Sequence, residues 1–72
     1  MSKTVQEWLN AYAEKIGGEA PNETEVNDLL SIAGIAAHSS ERTAAPLTCY
    51  MIGKYGLSPN DALNFAKELE SE

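Results

Sequence analysis

The chain has 72 residues and a formal net charge of −6 at pH 7, five Lys and Arg standing against eleven Asp and Glu. That length holds one small domain, read as residues 1–72, and 43% hydrophobic residues are too many for a disordered acidic tail. No basic cluster forms among Lys3, Lys15, Arg42, Lys54 and Lys67, so nucleic acid and anionic membrane surfaces are excluded as expected partners.

Four helical segments follow in chain order. The first spans about Val5 to Ile16, with Val5, Trp8, Leu9, Tyr12 and Ile16 on one stripe. Thr4 and Glu7 have the spacing of a capping box, and Gly17-Gly18 stops the helix. The second spans about Glu23 to His38, with Asn22 as cap and Glu23, Glu25 and Asp28 at the positive end of its dipole. Val26, Leu29, Leu30, Ala33 and Ala37 form its stripe, which Ile32, Ile35 and Ala36 widen, so it reads as a central helix. Gly34 inside it costs about 1 kcal/mol relative to alanine and predicts a close helix crossing.

The third helix begins near Ala45 or Pro46 and ends by Gly56. Leu47, Tyr50, Met51 and Lys54 follow at helical spacing, and Pro46 suits a first turn, where a missing N–H costs nothing. The fourth has Ser58 as cap, Pro59 at its first position and Asp61 in its first turn. Ala62, Leu63, Phe65, Ala66 and Leu69 make its stripe. No window alternates with period two. The expected fold is all-α, a small four-helix bundle, with Trp8, Leu9, Tyr12, Leu29, Leu30, Ala33, Leu47, Met51, Leu63 and Phe65 in its core. Truncating Leu30 or Phe65 to alanine is then expected to cost roughly 2–5 kcal/mol.

Covalent and metal staples are not available to this core. Cys49 has no second cysteine to pair with, and one His with one Cys cannot supply a zinc tetrad, so no metal and no cofactor is expected. The uncharged stretches Leu29 to Ser40 and Thr43 to Gly53 fall short of the roughly 20 apolar residues a spanning helix needs. The start, Met1-Ser2-Lys3-Thr4-Val5-Gln6-Glu7, lacks the apolar segment of a secretory leader. A soluble, cytoplasmic protein is the expectation.

Between the second and third helices lies a polar knot, His38-Ser39-Ser40-Glu41-Arg42-Thr43-Ala44-Ala45-Pro46-Leu47-Thr48, holding the only His and the only Arg. His38 is placed to meet the negative end of a helix dipole. Glu41 and Arg42 are placed to tie the loop, through an ion pair or by bonding free carbonyls at the helix end. Thr43 or Thr48 is placed to cap or back-bond the third helix. A polar cluster pinned by Pro46 between apolar helices is equally a way to hold a binding residue still.

Catalytic constellations do not survive the same inspection. Cys49 and His38 are the only nucleophile–base pair of the cysteine type, eleven positions apart around a proline, and Cys49 reads as a small buried apolar residue. Glu23 and Glu25 stand two apart, on different helix faces, and make no acid/base dyad. Gly17-Gly18 and Gly53-x-x-Gly56 lack the strand–helix context and the Lys-Ser/Thr of a phosphate loop. The aromatics sit at helical positions as core residues. No enzyme activity is expected.

The run Ala36-Ala37-His38-Ser39-Ser40-Glu41-Arg42-Thr43-Ala44-Ala45-Pro46-Leu47-Thr48-Cys49-Tyr50-Met51-Ile52-Gly53 resembles the centre of a small actinobacterial helical domain family of unknown function. That family shows A-H-x-x-E-R-x-A-A-P-L-T followed by an apolar helix and Gly, opens with a W-L segment matched by Trp8-Leu9, and ends on a short acidic helix. Thr43 departs from the pattern, standing where members usually have proline, which leaves the turn into the third helix less rigid. Members occur alone, or beside or fused to molybdenum-cofactor guanylyltransferases and formate dehydrogenase accessory proteins. The resemblance implies a signature surface of His38, Glu41, Arg42, Pro46, Leu47 and Thr48, and no reaction. Guanylyltransferase chemistry belongs to the neighbouring domain, which needs a nucleotide-binding α/β fold.

Three functions are therefore carried forward. The first is a non-catalytic accessory or adaptor in molybdenum-cofactor (molybdopterin guanine dinucleotide) biosynthesis, whose protein partner is a guanylyltransferase or a formate dehydrogenase accessory protein. The second is an unrelated helical interaction module or homodimer. The third, an acidic carrier, fits in size and charge. It lacks the Asp-Ser-Leu turn that carries the prosthetic arm, since the serines sit in Leu30-Ser31-Ile32, His38-Ser39-Ser40-Glu41, Leu57-Ser58-Pro59 and Glu70-Ser71-Glu72.

Overall fold

Three of the four helix starts are fixed by a cap side chain one turn away. In the computed structural model, which describes residues 3–72, α1 covers Val5–Ile16. Met1 and Ser2, which open the stretch read above as no leader, lie outside the described residues. The Thr4 hydroxyl accepts from the Glu7 N–H at 3.1 Å, and the Thr4 N–H donates to Glu7 Oε1 at 2.8 Å, closing the expected capping box. Gly17 ends the helix at φ 73°, a left-handed conformation open to glycine without strain. The Gly18 N–H then donates back to the Ala13 carbonyl at 2.9 Å.

Helix α2 covers Glu23–Ser39. Asn22 caps it, as its Oδ1 accepts from the Glu25 N–H at 2.8 Å, and Glu25 answers by accepting from the Asn22 N–H at 2.9 Å. Helix α3 covers Ala44–Lys54, starting ahead of the expected Ala45 or Pro46, and the Thr43 side chain makes no capping bond. Its C-terminus closes on Gly56 at φ 64°, with the Leu57 N–H donating to the Ile52 carbonyl at 3.0 Å. Helix α4 covers Pro59–Glu70, with Ser58 Oγ accepting from the Asp61 N–H at 3.1 Å.

The four helices form a small all-α bundle with no strand among the described residues. Helix α2 is its shared wall, pairing with α3 and with α4 to a similar extent. Fully buried Ile32 meets Ile52 and Ala62, and Leu29, Leu63 and Ala66 pack around them. Helix α1 has no helix pairing of that extent, and its buried Ala13 stands outside this cluster. The radius of gyration is 12.9 Å, against about 11 Å for a compact chain of this length, and the extents are 40 × 27 × 19 Å.

The expected core is corrected in part. Trp8, Tyr12, Leu30, Leu47, Met51 and Phe65 are each more than half exposed, whereas Leu9, Leu29, Ala33 and Leu63 are half-buried. Helix α2 is apolar on nearly every side, so periodicity alone does not choose its buried face. Both packing neighbours lie on the Ile32 side, which leaves Leu30 outside. The costs expected for truncating Leu30 or Phe65 fall with their burial. Gly34 serves no tight crossing either, since a Cβ built there meets nothing within 4 Å. No helix among the described residues is long and apolar enough to cross a membrane.

Candidate functional site

The signature residues gather at the corner between α2 and α3. His38 lies in the last turn of α2, Glu41 and Arg42 in the turn, and Pro46, Leu47 and Thr48 in α3. Backbone bonds hold this corner: the Ser40 N–H donates to the Ala36 carbonyl at 3.0 Å. The Ala44 N–H likewise donates to the Glu41 carbonyl at 2.9 Å, and that of Ala45 to the Arg42 carbonyl at 3.2 Å. Side-chain hydrogen bonds among the described residues lie at the caps, between Gln6 and Asn10, and at Ser71, and involve none of His38, Glu41 or Arg42. The reading in which Arg42 bonds free carbonyls therefore has no such bond behind it.

His38, Glu41, Arg42, Pro46 and Leu47 are exposed, while Thr48 is half-buried. A helix turns 100° per residue, so Pro46, Leu47 and Thr48 fan out over different directions. Thr48 points into a second feature that this corner borders: an open groove of about 670 Å³ between α2, α3 and α4.

Three helical stripes line the groove. Ile32, Ile35, Ala36 and Ser39 come from α2; Ala44, Thr48, Met51, Ile52 and Tyr55 from α3; Ala62, Phe65, Ala66 and Leu69 from α4. Each stripe follows the i, i+3/i+4, i+7 rhythm of one helix face. Ser40 and Leu57 complete the rim. The lining contains hydroxyls at Ser39, Ser40, Thr48 and Tyr55, and no carboxylate, imidazole, ammonium or guanidinium. The Lys54 ammonium lies over the rings of Tyr50 and Tyr55, with 5.9 and 5.6 Å to the centroids.

Sequence reasoning found the α4 stripe. On α2 it took Ile32, Ile35 and Ala36 only as widening a stripe through Leu29 and Leu30, and on α3 it set Met51 with Leu47 and Tyr50. It did not show the groove. Period 3.6 shows that a helix has an apolar face; it does not show that three such faces leave a channel instead of closing on one another. Cys49, read as a small buried apolar residue, is only half-buried and lies outside the groove lining, and burial pushes its thiol up from the ordinary value. Among the described residues no three His, Cys, Asp or Glu side chains come together as a metal site would require.

Comparison with curated proteins and with solved structures gives no match. Comparison with family models does: residues 1–69 match one described as a domain of unknown function, DUF6457. From Trp8 through the signature corner to the groove wall at Leu69, this chain belongs to the DUF6457 family.

Proposed function

We propose that this domain is a non-catalytic accessory in molybdenum-cofactor biosynthesis, and that it presents the α2–α3 corner to a protein partner. The observation that carries the binding reading is that corner itself. His38, Glu41, Arg42, Pro46 and Leu47 are all exposed, and the side chains of the three polar ones make no hydrogen bond within the described chain. An exposed guanidinium and an exposed leucine on one corner combine directional recognition of a carboxylate with apolar contact. The resemblance of the His38 to Thr48 run supplies the choice of partner, a molybdenum-cofactor guanylyltransferase or a formate dehydrogenase accessory protein.

Titration calorimetry of the purified chain into a purified molybdenum-cofactor guanylyltransferase tests the proposal. Binding that Leu47→Asp abolishes and Arg42→Lys weakens is the expected result. No heat with that enzyme or with the formate dehydrogenase accessory protein overturns it.

A further inference from the structure

A helix of twelve residues is marginal in water on its own, so its stability must come from an apolar face laid against something. Helix α1 lacks that cover. Val5, Trp8, Tyr12 and Ile16 recur at i, i+3, i+7 and i+11, and they are 70%, 58%, 55% and 66% exposed. Trp8 and Tyr12 already stack, with centroids 6.3 Å apart and planes at 27°. The α2–α3–α4 groove has the opposite deficiency, an apolar channel with no helix in it and no residue of α1 among its lining.

From these two unfilled surfaces we infer that the chain forms a two-fold symmetric dimer in which α1 of each copy lies in the groove of the other. The lengths agree: the stripe from Val5 to Ile16 and the α3 wall from Ala44 to Tyr55 each run eleven residue steps, about 16 Å. The chemistry agrees as well, because the stripe carries no charge and the groove lining carries none. Taking half to two-thirds of a large side chain as about 100 Å² apiece, the four stripe residues with about half as much again from the groove walls cover about 600 Å², and the two-fold pair about 1,200 Å². That reaches the lower edge of the about 1,200–2,000 Å² of a stable specific interface. The contact is isologous only as a pair of exchanges, so it closes at two copies and does not propagate. Of the signature residues only Thr48 lines the groove; His38, Glu41, Arg42, Pro46 and Leu47 do not, so the dimer contact and the partner contact are separable by substitution.

Sedimentation equilibrium on the wild-type chain is expected to give twice the 7.8 kDa protomer mass. Trp8→Glu removes the helix side of the contact and Leu69→Glu the groove side, both at exposed positions, and each is expected to raise the dissociation constant at least about tenfold. Mixing the two variants is the decisive measurement. The α1 of the Leu69→Glu copy still fits the groove of the Trp8→Glu copy, so a heterodimer holding one of the two exchanges should form. Emission of the single tryptophan of the wild type should also shift to the blue as concentration rises, which needs no variant. A wild-type monomer across the concentration range overturns the inference, including a monomer whose Trp8 is shielded because its own α1 has folded onto the groove. A wild-type dimer whose variants do not complement one another overturns it too, by placing the interface elsewhere.

Discussion

Arg42 illustrates how much depends on a neighbour's absence. Its guanidinium has no hydrogen-bonded partner within the described chain, and the carbonyls of Ala36, Glu41 and Arg42 accept from backbone amides. Arg42→Lys is therefore expected to change stability by no more than about 0.5 kcal/mol, as surface substitutions do, while weakening capture of the partner. A melting curve set beside the calorimetry separates the two effects. Ile32 is the opposite case, fully buried among Ile52 and Ala62. Ile32→Ala should cost about 2–5 kcal/mol by chemical denaturation, whereas Leu30→Ala, 65% exposed, should cost a small fraction of that. Equal losses at the two positions would mean that α2 buries a different face. Cys49 has a pH signature. Burial favours its neutral thiol, so its folded pKa lies above the unfolded one. The stabilisation is complete below the unfolded value, about 8.5, and is lost as pH rises through and beyond it. Stability that climbs between pH 8 and 10 would contradict this, and so would iodoacetamide alkylation as fast as that of an unfolded cysteine peptide.

At the scale of the helices, local chemistry was legible and burial was not. Thr4, Asn22, Ser58, Pro59 and Gly56 mark ends because a cap or a left-handed turn needs the residue and the backbone within about one turn, all of it local in sequence. The start of α3 was placed late because Thr43 makes no side-chain bond to announce it. Which face of a helix is covered depends instead on residues far along the chain. Hence Trp8, Tyr12, Tyr50, Tyr55 and Phe65, read as core from their spacing, are exposed. The signature corner was legible as a polar run between helices, while its division, with Thr48 toward the groove and Leu47 away from it, required the helices to be in place. Ser58→Ala offers a clean check on the local part. It removes the acceptor of the Asp61 N–H and should cost about 1 kcal/mol, measured as a lowered melting temperature.

For the molecule as a whole, one buried cluster must hold three helices while large apolar side chains line both the groove and α1. A chain of 72 residues buries only about 60% of its unfolded surface even when well packed, so cover supplied by a second copy adds directly to stability. The inferred dimer should therefore melt at a temperature that rises with protein concentration. Added salt should raise that temperature, because it screens the repulsion between two copies that each carry a net charge of −6.

The position of α2 as shared wall governs how the structure comes apart. Helices α3 and α4 both lean on Ile32 and have no comparable pairing with each other, so neither departs without baring the contact that secures its neighbour. Helices α2, α3 and α4 are therefore expected to open as a single cooperative unit, which hydrogen exchange would show as one shared slow rate for their central amides. Helix α1 belongs to that unit only through a cover borrowed from another chain. On dilution it is the first segment to fray, and a protease would find it before any other.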